Sequence, residues 1–165
     1  MFPSLATATT PLSLRRVKFV SSVHRNHRMQ SRLLPDPPML ELLHDVRRSG
    51  LAVGLVSNSL GRNCYAGFDL DALFDAQAIS GHEGVRKPSR RLYEVAGERL
   101  GIDPTEAVMI DDLAQNITAA GRLGMGGIVH TDATSTRAAL AQLLGNSGSL
   151  LFHSSTSGHE LEEAQ

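Results

Sequence analysis

Hydrophobic and polar positions alternate in blocks along the middle of the chain, and each block predicts one helix or strand. Asp36-Pro-Pro is typical of a helix start, because an acidic cap precedes prolines in the first turn. Apolar residues then recur at helical spacing as far as Val46, and Gly50 can end the helix. The continuous apolar run at residues 51–56 is short, which favours a buried parallel strand.

The same alternation continues to residue 144. We predict further strands at residues 76–80, 107–110 and 127–130, and further helices at residues 88–100, 113–123 and 134–144. Asp103-Pro-Thr-Glu106 has the pattern of a capping box. Strands that alternate with helices predict an α/β fold, a Rossmann-like three-layer sandwich around a mainly parallel sheet.

Composition divides the 165-residue chain into three zones. Residues 1–35 are basic and contain no Asp or Glu, and we expect them to be disordered. They are either a transit-like peptide or a non-native start of the chain. We favour the second, because the change in composition falls where a folded domain should already have begun. Residues 36–145 are patterned like a folded core, and residues 146–165 are typical of a flexible tail.

Charge and composition exclude several functional classes. The formal net charge of −1 argues against a general nucleic-acid-binding protein, which usually has a strong basic excess. The single cysteine, Cys64, cannot form an internal disulfide or a thiolate zinc site. No apolar run approaches the ~20 residues that a bilayer-spanning helix needs. We expect a cytoplasmic protein with no membrane or nucleic-acid partner, and organellar targeting is the weaker alternative; the sequence does not indicate an oligomeric state.

Polar residues stand next to three predicted elements, where a parallel sheet would bring them together. Ser57-Asn58 follows the first predicted strand, Asp111-Asp112 follows the third, and Lys87 precedes the second helix. Singly, each has an ordinary explanation as a turn, a helix cap or a solvated lysine. Together, a hydroxyl, an amide, an ammonium and two carboxylates suit phosphoryl transfer, in which carboxylates hold Mg²⁺ and lysine offsets developing charge.

Three segments also resemble motifs of one family. Leu55-Val-Ser-Asn-Ser59 is similar to the second motif of the haloacid dehalogenase (HAD) superfamily, a strand that ends in Ser or Thr. Gly84-Val-Arg-Lys-Pro-Ser-Arg-Arg-Leu-Tyr93 is similar to the third motif, and Val108-Met-Ile-Asp-Asp-Leu-Ala-Gln-Asn116 to the fourth, acidic motif. The Asp-Asp-x-x-x-Asn form resembles the phosphatase-like domain fused to soluble epoxide hydrolases. The order and spacing of the motifs agree across residues 51–130.

The resemblance implies a phosphate-binding role for three residues. Ser57 would bind the transferring phosphoryl group with help from Asn58, and Lys87 would be a catalytic residue that bridges nucleophile and phosphate. The implied partner is a small phosphorylated molecule.

The resemblance also implies Mg²⁺ as the cofactor. Asp112 would be its principal ligand, because Asn116 lies four positions on, where many members of the family carry a second acid. Asp111 would be a neighbouring ligand or an outer acceptor, and Asn116 a supporting residue.

The family's first motif, Asp-x-Asp-x-Thr after the first strand, has no counterpart in this sequence. No aspartate precedes Asp36, and although residues 17–20 could mimic the strand, Ser21 and Ser22 follow it. Serine lacks the carboxylate that an aspartyl-phosphate mechanism requires. We therefore expect a HAD-like core without its first strand and cap, and a chain without phosphatase turnover. The alternatives are a non-catalytic pseudoenzyme or phosphate-binding module, and a truncated gene product.

Two other families use similar residues in a different order. Response-regulator receivers also combine acids, a hydroxyl and lysine around Mg²⁺, but there the acids come first and lysine last, whereas here Ser57 and Lys87 precede Asp111. Dinucleotide-binding domains place Gly-x-Gly-x-x-Gly after a strand, and this sequence has no such motif.

Overall fold

The computed structural model describes residues 18–21, 36–59 and 62–145. They contain one five-stranded sheet in which every pair of neighbouring strands is parallel, in the order β3-β2-β1-β4-β5. The strands are β1 Lys18–Ser21, β2 Val53–Ser57, β3 Ala76–Ile79, β4 Ala107–Asp111 and β5 Gly126–Val129.

Helices cover both faces of this sheet. The α-helices are α1 Pro37–Arg48, α2 Leu70–Leu73, α3 Ser80–Glu83, α4 Arg90–Leu100, α5 Ala114–Gly121 and α6 Ala133–Leu144, and two 3-10 helices span Arg62–Tyr65 and Pro104–Glu106. One apolar cluster joins α1 and α6 to one face, and a second joins α4 to the other, against which α5 also packs. The predicted α/β three-layer sandwich with a parallel sheet is confirmed.

The central strand comes from the basic segment at the start of the chain. Phe19 of β1 lies level with Val53 of β2 on one side and with Val108 of β4 on the other. The expectation that the core lacks its first strand is therefore wrong. A central strand is held by main-chain hydrogen bonds along both edges, so a short segment with little apolar patterning can fill it. The other residues of the 1–35 segment and the predicted tail, 146–165, lie outside the described residues.

Local sequence signals account for most helix ends. Asp36 caps α1 by accepting a hydrogen bond from the Met39 N–H at 3.4 Å. The predicted capping box forms, since the Asp103 side chain accepts from Thr105 N–H and the Glu106 side chain accepts from Asp103 N–H. Gly101 ends α4 in a left-handed conformation with φ of 64°. The single-turn helices α2 and α3 were not predicted, because one turn is too short to show a helical period.

The sheet delivers polar residues to one edge. All residues of β2 and β4 are buried, so their last residues, Ser57 and Asp111, stand where the buried sheet ends. Because the strands are parallel, both ends open on the same edge, the usual location of ligand sites in such sheets. A bilayer crossing would need a longer and more apolar helix than any in the described ranges.

Candidate active site

A buried ion pair forms the centre of the site. The Lys87 ammonium donates to Asp111 Oδ2 at 2.6 Å, and the two side chains are 3% and 0% exposed. Lys87 lies just before α4, whereas Asp111 is the last residue of β4. Burial lowers the pKa of Lys87, and the adjacent Asp111 carboxylate opposes that shift. A charged pair this deeply buried is tolerated only when its hydrogen bonds are satisfied.

The second carboxylate oxygen of Asp111 satisfies this requirement. Asp111 Oδ1 accepts from the Leu113 N–H and from Asn116 Nδ2, each at 2.9 Å. Burial by itself would raise the pKa of Asp111, but the charge of Lys87 and these hydrogen bonds outweigh it and lower the pKa. Asp111 is thus held as a carboxylate that anchors both Lys87 and the start of α5.

Asn58 holds the backbone of Lys87 in place. Its side-chain oxygen accepts from the Lys87 N–H at 2.6 Å, and its side-chain nitrogen donates to the Lys87 carbonyl at 3.0 Å. Through Asn58 and Asp111, Lys87 connects the end of β2 to the end of β4. The side-chain amide of Asn58 therefore positions the lysine, while its predicted contact with phosphate stays a prediction.

Ser57 is fully buried at the end of β2, level with Ile79 of β3. The nearby Tyr65 hydroxyl receives a hydrogen bond from Ser59 Oγ at 3.5 Å. Burial raises the pKa of Tyr65, and the hydroxyls of Ser57 and Ser59 partly oppose that shift. Sequence reasoning missed Tyr65, because an aromatic residue in an irregular segment carries no pattern that distinguishes it from core.

Asp112 is the more exposed acid of the pair. Its side chain is partly buried, and burial together with the negative charge of Asp111 raises its pKa. A cation beside Asp112 would relieve both effects. Asn116 Oδ1 is also buried and has no hydrogen-bond partner among the described residues. Among the described residues, the site therefore contains a buried oxygen without a hydrogen-bond partner, and a carboxylate beside which a cation would be favourable.

Tyr93 supports this arrangement from α4. Its hydroxyl donates to the main-chain oxygen of Asn116 at 3.1 Å, and the side chain is fully buried. Burial, reinforced by the charge of Asp111, raises the pKa of Tyr93, so the hydroxyl keeps its proton as a donor. Tyr93 is the last residue of the segment that resembles the third HAD motif, and its helical position was the signal that could have identified it.

All six predicted site residues lie at this edge, and hydrogen bonds connect four of them: Asn58, Lys87, Asp111 and Asn116. A separate open cavity of about 590 Å³ lies along β3, lined by residues that include Gln77, His82 and Arg99. It shares no residue with the predicted site. The buried Lys87–Asp111 pair therefore lies at the sheet edge and not in this cavity.

Comparison with known proteins connects this geometry to a family. Residues 6–124 match the family model of haloacid dehalogenase-like hydrolases. A sesquiterpene phosphatase, AstK of Aspergillus oryzae, is 33% identical over 119 residues, which cover 68% of this chain and 59% of that protein. The chain thus spans less than two thirds of the length of this relative.

Solved structures show the same fold. An uncharacterised protein from Corynebacterium glutamicum has a TM-score of 0.65 at 19% identity, over 79% of this chain and 96% of that one. A HAD family enzyme from Bacteroides thetaiotaomicron, solved in complex with magnesium and inorganic phosphate, has a TM-score of 0.51 at 25% identity over 58% of this chain and 52% of that one. Because the family model matches well over half of its length, this chain belongs to the haloacid dehalogenase-like hydrolase family.

Proposed function

We propose that this chain binds Mg²⁺ and the phosphate group of a small phosphorylated molecule at the carboxyl edge of its sheet, as a phosphatase-type member of its family. The observation that carries the proposal is the buried Lys87–Asp111 pair at 2.6 Å, held between the ends of β2 and β4. A buried ammonium needs anionic partners. Asp111 supplies one from the protein, and a phosphate oxygen would supply another.

The residues present fit a magnesium ion. Magnesium prefers oxygen ligands and is commonly bound by one or two carboxylates plus water and substrate phosphate. Asp112 offers a carboxylate whose pKa is raised by burial and by Asp111, and the buried Asn116 Oδ1 has no partner among the described residues. The described residues contain no cluster of three or more His, Cys, Asp or Glu side chains, so phosphate and water would complete the shell. The magnesium and phosphate bound by the Bacteroides enzyme support this assignment.

Each residue then has a distinct task. Ser57 donates its hydroxyl hydrogen to a phosphate oxygen, and Lys87 offsets the negative charge of the phosphate. Asp111 keeps the lysine side chain oriented, while Asn58 fixes its main chain. The metal, when bound to Asp112, supplies positive charge that neutralises phosphate oxygens.

We further propose that the chain binds without turnover through an aspartyl-phosphate. Residues 1–35 contain no Asp or Glu, and the central strand β1 ends at Ser21, which lies level with Leu55 and Ile110. A serine at this strand end cannot supply the carboxylate nucleophile. A phosphate-binding function without catalysis therefore fits the chain better than an active phosphatase. The cytoplasmic location expected from the sequence remains a proposal.

Calorimetric titration of inorganic phosphate into the protein, with and without MgCl₂, tests the binding function. We expect saturable phosphate binding that depends on Mg²⁺ and disappears in Asp112→Asn. Thermal unfolding should report the same event, since a ligand at 100 times its Kd stabilises the folded state by about 2.7 kcal/mol. The matched control is Asp71→Asn, an equal charge change at an exposed acid outside the site, which should leave binding unchanged. Loss of binding in both variants, or no binding in the unmodified chain, would contradict the proposal.

Release of the aryl alcohol from a generic aryl phosphate in the presence of Mg²⁺ tests the absence of turnover. We expect no release above that of the buffer. Hydrolysis that is lost in both Lys87→Ala and Asp112→Asn would show that the chain is an active phosphatase after all. Hydrolysis that survives both substitutions would indicate a contaminating enzyme, and the test would then be repeated on protein free of it.

A further inference from the structure

Tyr93 connects the two helices that follow the proposed phosphate-binding and metal-binding residues. It lies in the first turn of α4, and its hydroxyl donates to the main-chain oxygen of Asn116 on α5 at 3.1 Å. Its side chain is fully buried in the apolar cluster that joins α4 to the sheet. A hydroxyl that donates from such a cluster to the main chain of another helix fixes the position of that helix in addition to packing against it.

Asn116 is held at three points. Its N–H donates to the Leu113 carbonyl and its side-chain Nδ2 donates to Asp111 Oδ1, each at 2.9 Å, while its main-chain oxygen accepts from Tyr93. The whole residue is only 2% exposed. A carboxylate can only accept hydrogen bonds, so Asp111 requires the Nδ2 side of the amide. Asn116 Oδ1 therefore has to lie on the side of the amide that is turned away from Asp111.

Asn116 Oδ1 is the one atom of the amide that these contacts do not engage. It is buried and has no hydrogen-bond partner among the described residues. Buried acceptors without a partner are rare in proteins, and a bound ion is one of their explanations. Asp112, the proposed principal metal ligand, directly follows Asp111, to which Asn116 is hydrogen-bonded. Both proposed metal ligands are thus placed by the same buried carboxylate.

We propose that Tyr93 is a positioning residue that fixes Asn116 Oδ1 as a metal ligand and thereby makes the site prefer Mg²⁺ to Ca²⁺. The inference rests on the proposed function and deepens it. Magnesium demands near-ideal octahedral geometry at about 2.0–2.1 Å, whereas calcium accepts oxygen ligands at about 2.3–2.6 Å in flexible arrangements. A ligand oxygen that loses its fixed position therefore lowers the affinity for magnesium and leaves that for calcium nearly unchanged.

Thermal unfolding at rising concentrations of MgCl₂ or CaCl₂, without phosphate, measures both affinities, because a metal that binds the folded state raises the unfolding midpoint. The unmodified chain is compared with Tyr93→Phe, Asn116→Ala and the double variant. We expect Tyr93→Phe to weaken Mg²⁺ binding about five- to tenfold, the effect of one lost hydrogen bond, and Ca²⁺ binding less than about twofold. Asn116→Ala should also lower the preference for Mg²⁺, and in that background Tyr93→Phe should have no further effect.

The fold is expected to survive Tyr93→Phe. Phenylalanine keeps the buried ring, and the main-chain oxygen of Asn116 keeps its helical partner, the N–H four residues further along α5. The matched control is Thr136→Val, which also removes a buried hydroxyl, the one that meets His130 Nδ1 at 2.7 Å. Thr136 lies on α6, on the opposite face of the sheet from Tyr93, so this substitution should change neither metal affinity.

An unchanged preference for Mg²⁺ in Asn116→Ala would refute the proposal whatever Tyr93→Phe does, because Oδ1 would then take no part in metal binding. Equal effects of Tyr93→Phe on Mg²⁺ and Ca²⁺ binding, or the same effect with and without the Asn116 amide, would refute the role of Tyr93 and leave the proposed function standing. Absence of stabilisation of the unmodified chain by MgCl₂ would also refute this inference, while the calorimetric titration of phosphate with MgCl₂ decides the proposed function separately.

Discussion

The buried pair of Lys87 and Asp111 makes a quantitative prediction about stability. Lys87→Met leaves the Asp111 carboxylate buried without its cation, and Asp111→Asn leaves the ammonium buried without its anion; neither side chain is more than 3% exposed. Removing one partner of a buried pair typically costs about 3–5 kcal/mol, because the remaining charge loses both water and partner. We expect each substitution to lower the free energy of unfolding by that amount.

Equilibrium unfolding in urea, followed by circular dichroism without Mg²⁺ or phosphate, measures this loss. The double variant should cost less than the sum of the single variants by roughly 2 kcal/mol, because it removes both charges together. Arg91→Met is the matched control: Arg91 meets Glu98 at the same 2.6 Å, but the two side chains are 53% and 60% exposed. The free energy of unfolding of Arg91→Met should hardly differ from that of the unmodified chain, since water screens exposed ion pairs. Additive effects in the double variant would refute the claim that burial makes the Lys87–Asp111 pair important for stability. Equal losses of unfolding free energy in Lys87→Met and Arg91→Met would refute it as well.

Two further predictions concern packing and pH. A methyl group on Gly127 would clash with Ile117 Cγ2, so Gly127→Ala should lower the free energy of unfolding in urea by about 1–3 kcal/mol. A methyl group on Gly121 would meet no tertiary neighbour within 4 Å in the described part of the chain, so Gly121→Ala should be neutral or stabilising. The reverse order of stabilities would contradict this packing. Burial alone would raise the pKa of Asp45, but hydrogen bonds and charges from two arginines, including Arg137 at 2.6 Å, outweigh it and lower the pKa. Ionised Asp45 therefore stabilises the folded state at pH values above its unfolded-state pKa of about 3.9. This stabilisation is lost as the pH falls through the lower folded-state pKa. Asp45→Asn should cost about 0.5–1 kcal/mol at pH 7 and less at pH 2, and an equal cost at both pH values would show that the charge is not responsible.

The sequence by itself determined the order of elements and the residues at the sheet edge. Helix and strand periods are local properties, and apolar runs that end in Ser57 or Asp111 mark strand ends whatever surrounds them. Because parallel strands must all point the same way, their polar ends had to share one edge. The convergence of Ser57, Lys87 and the two aspartates was therefore predictable before any contact was known.

Tertiary structure decided what each residue at that edge contacts. Lys18–Ser21 carries little apolar pattern, and only its hydrogen bonding to β2 and β4 makes it the central strand. Residue spacing could not show that the amide of Asn58 is occupied by the main chain of Lys87. It also could not separate Asp111, which holds the lysine, from Asp112, which is more exposed and has a raised pKa. These assignments depend on contacts between residues far apart in the chain, such as that of Lys87 with Asp111, and such contacts exist only when the elements are packed.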